Sequence, residues 1–150
     1  MMRSARFPNS KFDKVYGYAE WWPMTDLPQR LLADAQNGRE NEFALRDELA
    51  EEAPGVGYKC ASMLMRMCGY ERVVPIDTWV LQFLQERGYD IPEYITIGGA
   101  KGGPYKKMER HISEIARRRG LNPGNFQLAL WVKCSGWSPD DGTMPSYINS

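Results

Sequence analysis

The four-residue step Pro54-Gly55-Val56-Gly57 separates an acidic run, "NEFALRDELAEE", from a Met-rich one, "YKCASMLMRMCG", and restricts the fold more than any other stretch. Phe43, Leu45 and Leu49 before it, and Ala61, Leu64, Met65 and Cys68 after it, recur at helical spacing. Pro54 cannot continue the first helix, and glycines at 55 and 57 permit a tight reversal with positive φ at both. The expectation is a helix-hairpin-helix over about residues 42–68. Such a turn leaves the first backbone N–H groups of the second helix uncovered, where amides and helix dipole together favour an anion such as a phosphate oxygen. Paired glycines between helices are common, so the turn by itself does not decide a function.

The rest of the chain also reads as helix. "KFDKVYGYAEWW" and "TDLPQRLLADAQNG" are helical, the second with Thr25 or Asp26 as cap, Pro28 in its first turn and Gly38 past its end. "VVPIDTWVLQFLQERG" places Asp77 as N-cap of an apolar stripe and Gly88 as its stop. A Gly-rich loop, "TIGGAKGGPY", precedes an apolar face at Tyr105, Met108, Ile112 and Ile115, and Asn122-Pro123 opens a last helix; the tail from Ser138 reads as irregular. No strand is expected, so the fold class is all-α, a single domain over residues 1–150 with basic C-terminal helices at about 105–135. A length of 150 residues, 43% of them hydrophobic, suits one such core. With no apolar run near the roughly 18 residues of a membrane span and no secretory leader, the expected setting is inside the cell, in the cytoplasm or nucleoid, or the nucleus of a eukaryote. Cys60, Cys68 and Cys134 have no metal-ligand spacing and are expected as reduced, mostly buried thiols.

Charge is unevenly spread although the net charge is zero. From Glu20 to Glu52 nine acids face three arginines; from Lys101 to Cys134 eight basic residues face Glu109 and Glu114. The basic half, including Lys106 and Lys107, is a candidate surface for a polyanion, with plain solvated helix faces as the alternative.

Two residues carry chemistry. Lys59, in the first turn of the second hairpin helix, sits against the helix dipole, which disfavours its charged form; a neutral amine is a nucleophile able to form a Schiff base. Asp77 lies 18 residues on, at an N-cap that keeps a carboxylate ionised and oriented, as stabilising a cationic sugar-like transition state requires. The alternatives are a surface lysine and a plain cap.

"APGVGYKCASMLMRM" with "VVPIDTWVLQFL" resembles the helix-hairpin-helix DNA glycosylases: a Gly-hydrophobic-Gly hairpin, a lysine two residues on, and an aspartate after a Val-Pro-Ile-Asp segment, over roughly residues 42–88. It is most similar to the compact 8-oxoguanine DNA glycosylase/lyases. The resemblance implies Lys59 as nucleophile, Asp77 as catalytic carboxylate, and phosphate contacts from Pro54, Gly55, Val56 and Gly57. It implies a bifunctional enzyme that removes 8-oxoguanine from damaged double-stranded DNA and nicks the strand by β-elimination. It requires no cofactor, although family hairpins often bind a monovalent cation through their carbonyls, and it is expected as a monomer. The four-cysteine iron–sulfur cluster of related enzymes cannot form with Cys134 alone downstream. Phe126, Gln127 and Trp131 on the last helix are base-pocket candidates, with core packing as the alternative; His111 is a phosphate contact or has no role. About fifty residues precede the hairpin, fewer than family members usually have, and the adjacent Trp21 and Trp22 are candidates for an aromatic wedge. A non-catalytic DNA-holding module and a glycosylase for oxidised pyrimidines remain the competing expectations.

Overall fold

A computed structural model of the chain describes residues 20–36, 42–92 and 102–136. Among these residues there are six α-helices and no strand. They are α1 (Leu27–Gln36), α2 (Glu42–Glu52), α3 (Tyr58–Met67), α4 (Thr78–Glu86), α5 (Gly103–Arg118) and α6 (Pro123–Ser135), with a 3-10 turn at Trp22–Met24. None of them is long and apolar enough to cross a membrane. The expected helix over 11–22, the Gly-rich loop up to Lys101 and the tail lie wholly or mostly outside the described residues.

Local chemistry accounts for the boundaries. The Leu27 amide donates to the Thr25 hydroxyl ahead of α1, Asp77 caps α4, and Asn122 caps α6 by accepting from the Asn125 amide at 2.8 Å. Gly69 and Gly88 follow α3 and α4 with positive φ, as helix stops demand. Contact is most extensive between α2 and α3, the arms of the hairpin. Their apolar faces meet α1 through Leu27, Leu31, Leu45, Leu49, Ala61 and Met65, all buried. A second cluster joins α4, α5 and α6 through Val80, Leu84, Met108, Ile112, Phe126 and Leu130. Each leucine buried in this way contributes roughly 1.5–3 kcal/mol.

Between α3 and α4 the chain runs without regular structure from Tyr70 to Asp77, mostly buried, and its amides need partners. They find them in side chains. Glu42 accepts from the Arg72 and Val73 amides at 2.7 and 2.8 Å, Glu109 from the Val74 amide at 2.9 Å, and the Tyr105 hydroxyl from the Ile76 amide at 3.1 Å. Glu109 is held in turn by Arg46, whose two terminal nitrogens donate to its two oxygens at 2.8 and 2.7 Å; both residues are buried. Thus α2 and α5 together set the position of the segment that ends at Asp77.

Removing one member of a buried ion pair leaves a desolvated charge behind. Glu109→Ala is therefore expected to lower stability by about 3 to 5 kcal/mol in denaturant unfolding, since Arg46 and the Val74 amide lose their acceptor together. A loss no larger than that of an exposed ion pair, about 1 kcal/mol or less, would mean that water replaces the carboxylate.

Candidate functional site

The hairpin forms where the glycines place it, but the two glycines do different work. Gly55 has φ of +72°, whereas Gly57 is the N-cap of α3 with φ −98° and ψ −178°, an extended conformation open to any residue. The expectation of positive φ at both is thus corrected: one left-handed residue suffices to reverse the chain, and the second position must be extended to start the helix. The Val56 amide donates to the Ala53 carbonyl at 3.1 Å, closing the turn. Tyr58, in the first turn of α3, donates its hydroxyl to Glu51 at 2.9 Å and so fastens the two arms together. Burial, reinforced by Glu51, pushes its phenol up to about 12, so the bond keeps its proton across the physiological range.

At the tip Gly55 is exposed, Pro54 and Val56 are partly exposed, and Gly57 is buried. The first intrahelical bond of α3 runs from the Ala61 amide to the Gly57 carbonyl at 2.8 Å, and no side chain caps the amides ahead of it. These N–H groups are available to an anion. Aspartate tolerates the left-handed conformation better than most residues, so Gly55→Asp should fold while setting a negative charge at the tip. Its affinity for a duplex should fall by about tenfold, and less at high salt, in fluorescence anisotropy. Equal affinity in low salt would take the hairpin out of the interface.

Lys59 and Asp77 come together although 18 residues separate them. Asp77 accepts from the Val80 amide at 2.8 Å through Oδ1 and from the Gln127 side chain at 3.0 Å through Oδ2. Burial pushes its carboxyl above the usual aspartate range, opposed by these two bonds, by the positive charge of Lys59 and by the Trp79 amide. Lys59 is partly buried in the first turn of α3. The arrangement sets an oriented carboxylate within electrostatic reach of the Lys59 charge at the junction of α3, α4 and α6.

Gln127 reaches Asp77 because the start of α6 is pinned. The Gly124 amide donates to the Glu71 carbonyl at 2.9 Å, and Arg66 donates to the Asn125 side chain at 2.9 Å. A Cβ at position 124 would come within 2.5 Å of the Arg66 guanidinium, which would have to shift to admit any other residue. The other base-pocket candidates are buried as well: Phe126 packs edge-on against Phe83 with ring centres 5.6 Å apart, and Trp131 is 4% exposed.

Lys106 pairs with Asp47 at 2.7 Å, while Lys107 is exposed. His111 packs against Tyr89 with ring centres 4.6 Å apart. Trp21 and Trp22 lie with ring centres 6.0 Å apart, both partly exposed. The thiols differ from expectation: all three are free, but Cys60 and Cys134 are exposed, and Cys68, at the C-cap of α3 and against the edge of the core, is only partly buried. Among the described residues no group of three or more His, Cys, Asp or Glu converges as metal ligands. Sequence reading did not single out Glu42, Arg46 and Glu109, whose acidic and basic neighbours disguise them as surface residues.

A family model described as 8-oxoguanine DNA glycosylase, of the helix-hairpin-helix type, matches residues 1–121. The chain belongs to this family. Among curated relatives, an 8-oxoguanine DNA glycosylase/AP lyase of Korarchaeum cryptofilum is 33% identical over 101 residues, 67% of this chain and 47% of that protein. Proteins of the same name from Methanocaldococcus jannaschii and Thermotoga maritima are 31% and 30% identical, over 70% and 72% of this chain and 49% and 51% of their own lengths. The chain thus spans about half the length of the curated relatives it matches. No solved structure matches it significantly. Hairpin, Lys59 and Asp77 fall inside the span that the family model matches, whereas Gln127 falls beyond it.

Proposed function

We propose that this protein excises 8-oxoguanine from double-stranded DNA and nicks the strand at the resulting abasic site, with Lys59 as nucleophile and Asp77 as catalytic carboxylate. The observation that supports this reading most directly is the juxtaposition of the Lys59 amine with an Asp77 carboxylate held by the α4 amides and by Gln127. Phosphate binding alone needs neither residue, which weighs against a non-catalytic DNA-holding module.

The lesion is swung out of the stack, since C1′ is out of reach within a duplex. The Lys59 amine attacks C1′ as the glycosidic bond breaks, and the bonding electron pair leaves with the base. Asp77 stabilises the cationic sugar as charge develops, and accepts the lysine proton. The ring opens to a Schiff base; a proton leaves C2′, the C3′–O bond breaks, and the 3′ phosphate departs. Backbone groups of Pro54 to Gly57 hold a strand phosphate, and Lys106 and Lys107 add attraction for the backbone. Phe126, Gln127 and Trp131 belong to the wall facing the extruded base, Gln127 also steadying Asp77. No cofactor takes part in either step; a monovalent cation on the hairpin carbonyls and a monomeric enzyme working inside the cell complete the reading.

Borohydride reduction tests it, because a Schiff base becomes a stable amine when reduced. Sodium borohydride added during turnover should leave a covalent adduct with a duplex containing 8-oxoguanine, more than with one containing thymine glycol. Preferential trapping of thymine glycol would move the activity to oxidised pyrimidines. If folded, DNA-binding protein gives no adduct even with an abasic duplex, the reaction is not catalysed by this chain.

A further inference from the structure

Between α2 and α5 lies a cavity of about 290 Å³ whose lining includes Phe43, Asp47, Arg110, Ser113 and Arg117. The last three, spaced three and four residues apart on α5, stand in one row along the helix. The carboxylates nearby are committed: Glu109 to Arg46 and the Val74 amide, Asp47 to Arg46 and Lys106. What remains is positive. Arg110 has no carboxylate partner among the described residues, and Arg117 uses only its Nε, on the Ser113 carbonyl at 3.3 Å. Behind them the Ser113 hydroxyl is buried, its residue 6% exposed, and has no hydrogen-bond partner. Such a group costs free energy until a partner arrives.

We propose that this cavity is a binding site for a phosphate group, held by the guanidinium groups of Arg110 and Arg117 and by the hydroxyl of Ser113. Guanidinium presents several donors in a plane to tetrahedral oxygens, and serine supplies the short inner bond. The volume exceeds what one phosphate fills, given about 30 Å³ for a water molecule, so there is room for an attached sugar. The phosphate comes from a DNA backbone or from a small phosphorylated molecule. The site uses neither Lys59 nor Asp77 and does not depend on the reaction proposed for them.

Heteronuclear NMR of the whole chain reads the site directly, with inorganic phosphate, dAMP and a short undamaged duplex as probes. Saturable shifts are expected at the Arg110 and Arg117 side-chain nitrogens and at the Ser113 amide. The double variant Arg110→Gln, Arg117→Gln should weaken binding by about tenfold or more. Ser113→Ala should weaken it severalfold without lowering Tm, because it deletes an unpartnered hydroxyl. Arg118→Gln, which removes one positive charge from an exposed pair with Glu114 on the same helix, should leave affinity within about twofold. Shifts with phosphate or dAMP identify a small ligand, and shifts with the duplex alone identify the DNA backbone; either supports the site. Absence of saturable shifts at these groups with all three probes overturns it. So does binding that survives the double variant, or that Arg118→Gln weakens as much.

Discussion

Lys59→Gln is expected to give no borohydride adduct with 8-oxoguanine or abasic duplexes and to lower base excision by roughly 10⁴-fold or more, the scale on which loss of a nucleophile acts. An amide nitrogen has no basic lone pair with which to attack C1′, so the covalent route closes outright. The fold should be unaffected: the side chain is partly exposed in the first turn of α3, and glutamine suits a helix about as well as lysine. Affinity for an undamaged duplex should stay within a few-fold, since the phosphate contacts assigned to the hairpin are backbone groups. Single-turnover excision, adduct yield and anisotropy on one preparation separate these effects. Adduct at wild-type yield from the glutamine variant would move the nucleophile elsewhere and end the role proposed for Lys59.

Asp77→Asn has the second largest expected effect, and its sign in stability is opposite to that of an ordinary cap deletion. Burial raises the Asp77 carboxyl in the folded protein above its unfolded value. A raised folded value means that the folded state holds the proton more tightly, so stability is favoured at low pH and declines as pH rises through the folded value. At neutral pH the ionised carboxylate therefore costs stability, and asparagine removes that cost. It still caps α4 by accepting from the Val80 amide, and Gln127 can turn its amide to present oxygen. Tm at neutral pH should be unchanged or higher, while excision falls about 10²- to 10³-fold for want of charge beside the developing cation. The wild-type rate should also drop on acidification at a pH above the usual aspartate range, and the asparagine variant should lack that limb. A variant that simply unfolds, or excises at the wild-type rate, leaves Asp77 as a cap alone.

The hairpin, the caps at Asp77 and Asn122 and the helical course of the chain were legible because each is written in residues a few positions apart. Gly57 shows where local reading overreaches, since a glycine licenses positive φ without requiring it. The support of the site was not legible. Arg46 and Glu109 are 63 residues apart, and Glu42 reaches amides 30 and 31 residues on. In sequence they look like the solvated charges around them, and only the packing of α2 against α5 and the amide-rich stretch before Asp77 gives them partners. Gln127 stands out in the sequence as a base-pocket candidate, but its contact with Asp77, 50 residues away, follows from the seating of Gly124 against Arg66. Burial of Phe126 and Trp131 likewise follows from which face of α6 turns inward, and a helix with apolar residues around most of its circumference does not announce that face.

Glu109 binds α2 through Arg46 and the segment before Asp77 through the Val74 amide, and Glu42, one turn before Arg46 on α2, grips the same segment. The helix that runs into the hairpin and the strand of chain that delivers Asp77 are therefore lashed to one another at two points. In mechanical terms they form a fixed gauge. On the function proposed above, a duplex seated by its phosphate on the hairpin tip would meet the carboxylate at a set offset along its backbone, and the nucleotide acted upon would be chosen by counting from that phosphate, not by the carboxylate seeking it out.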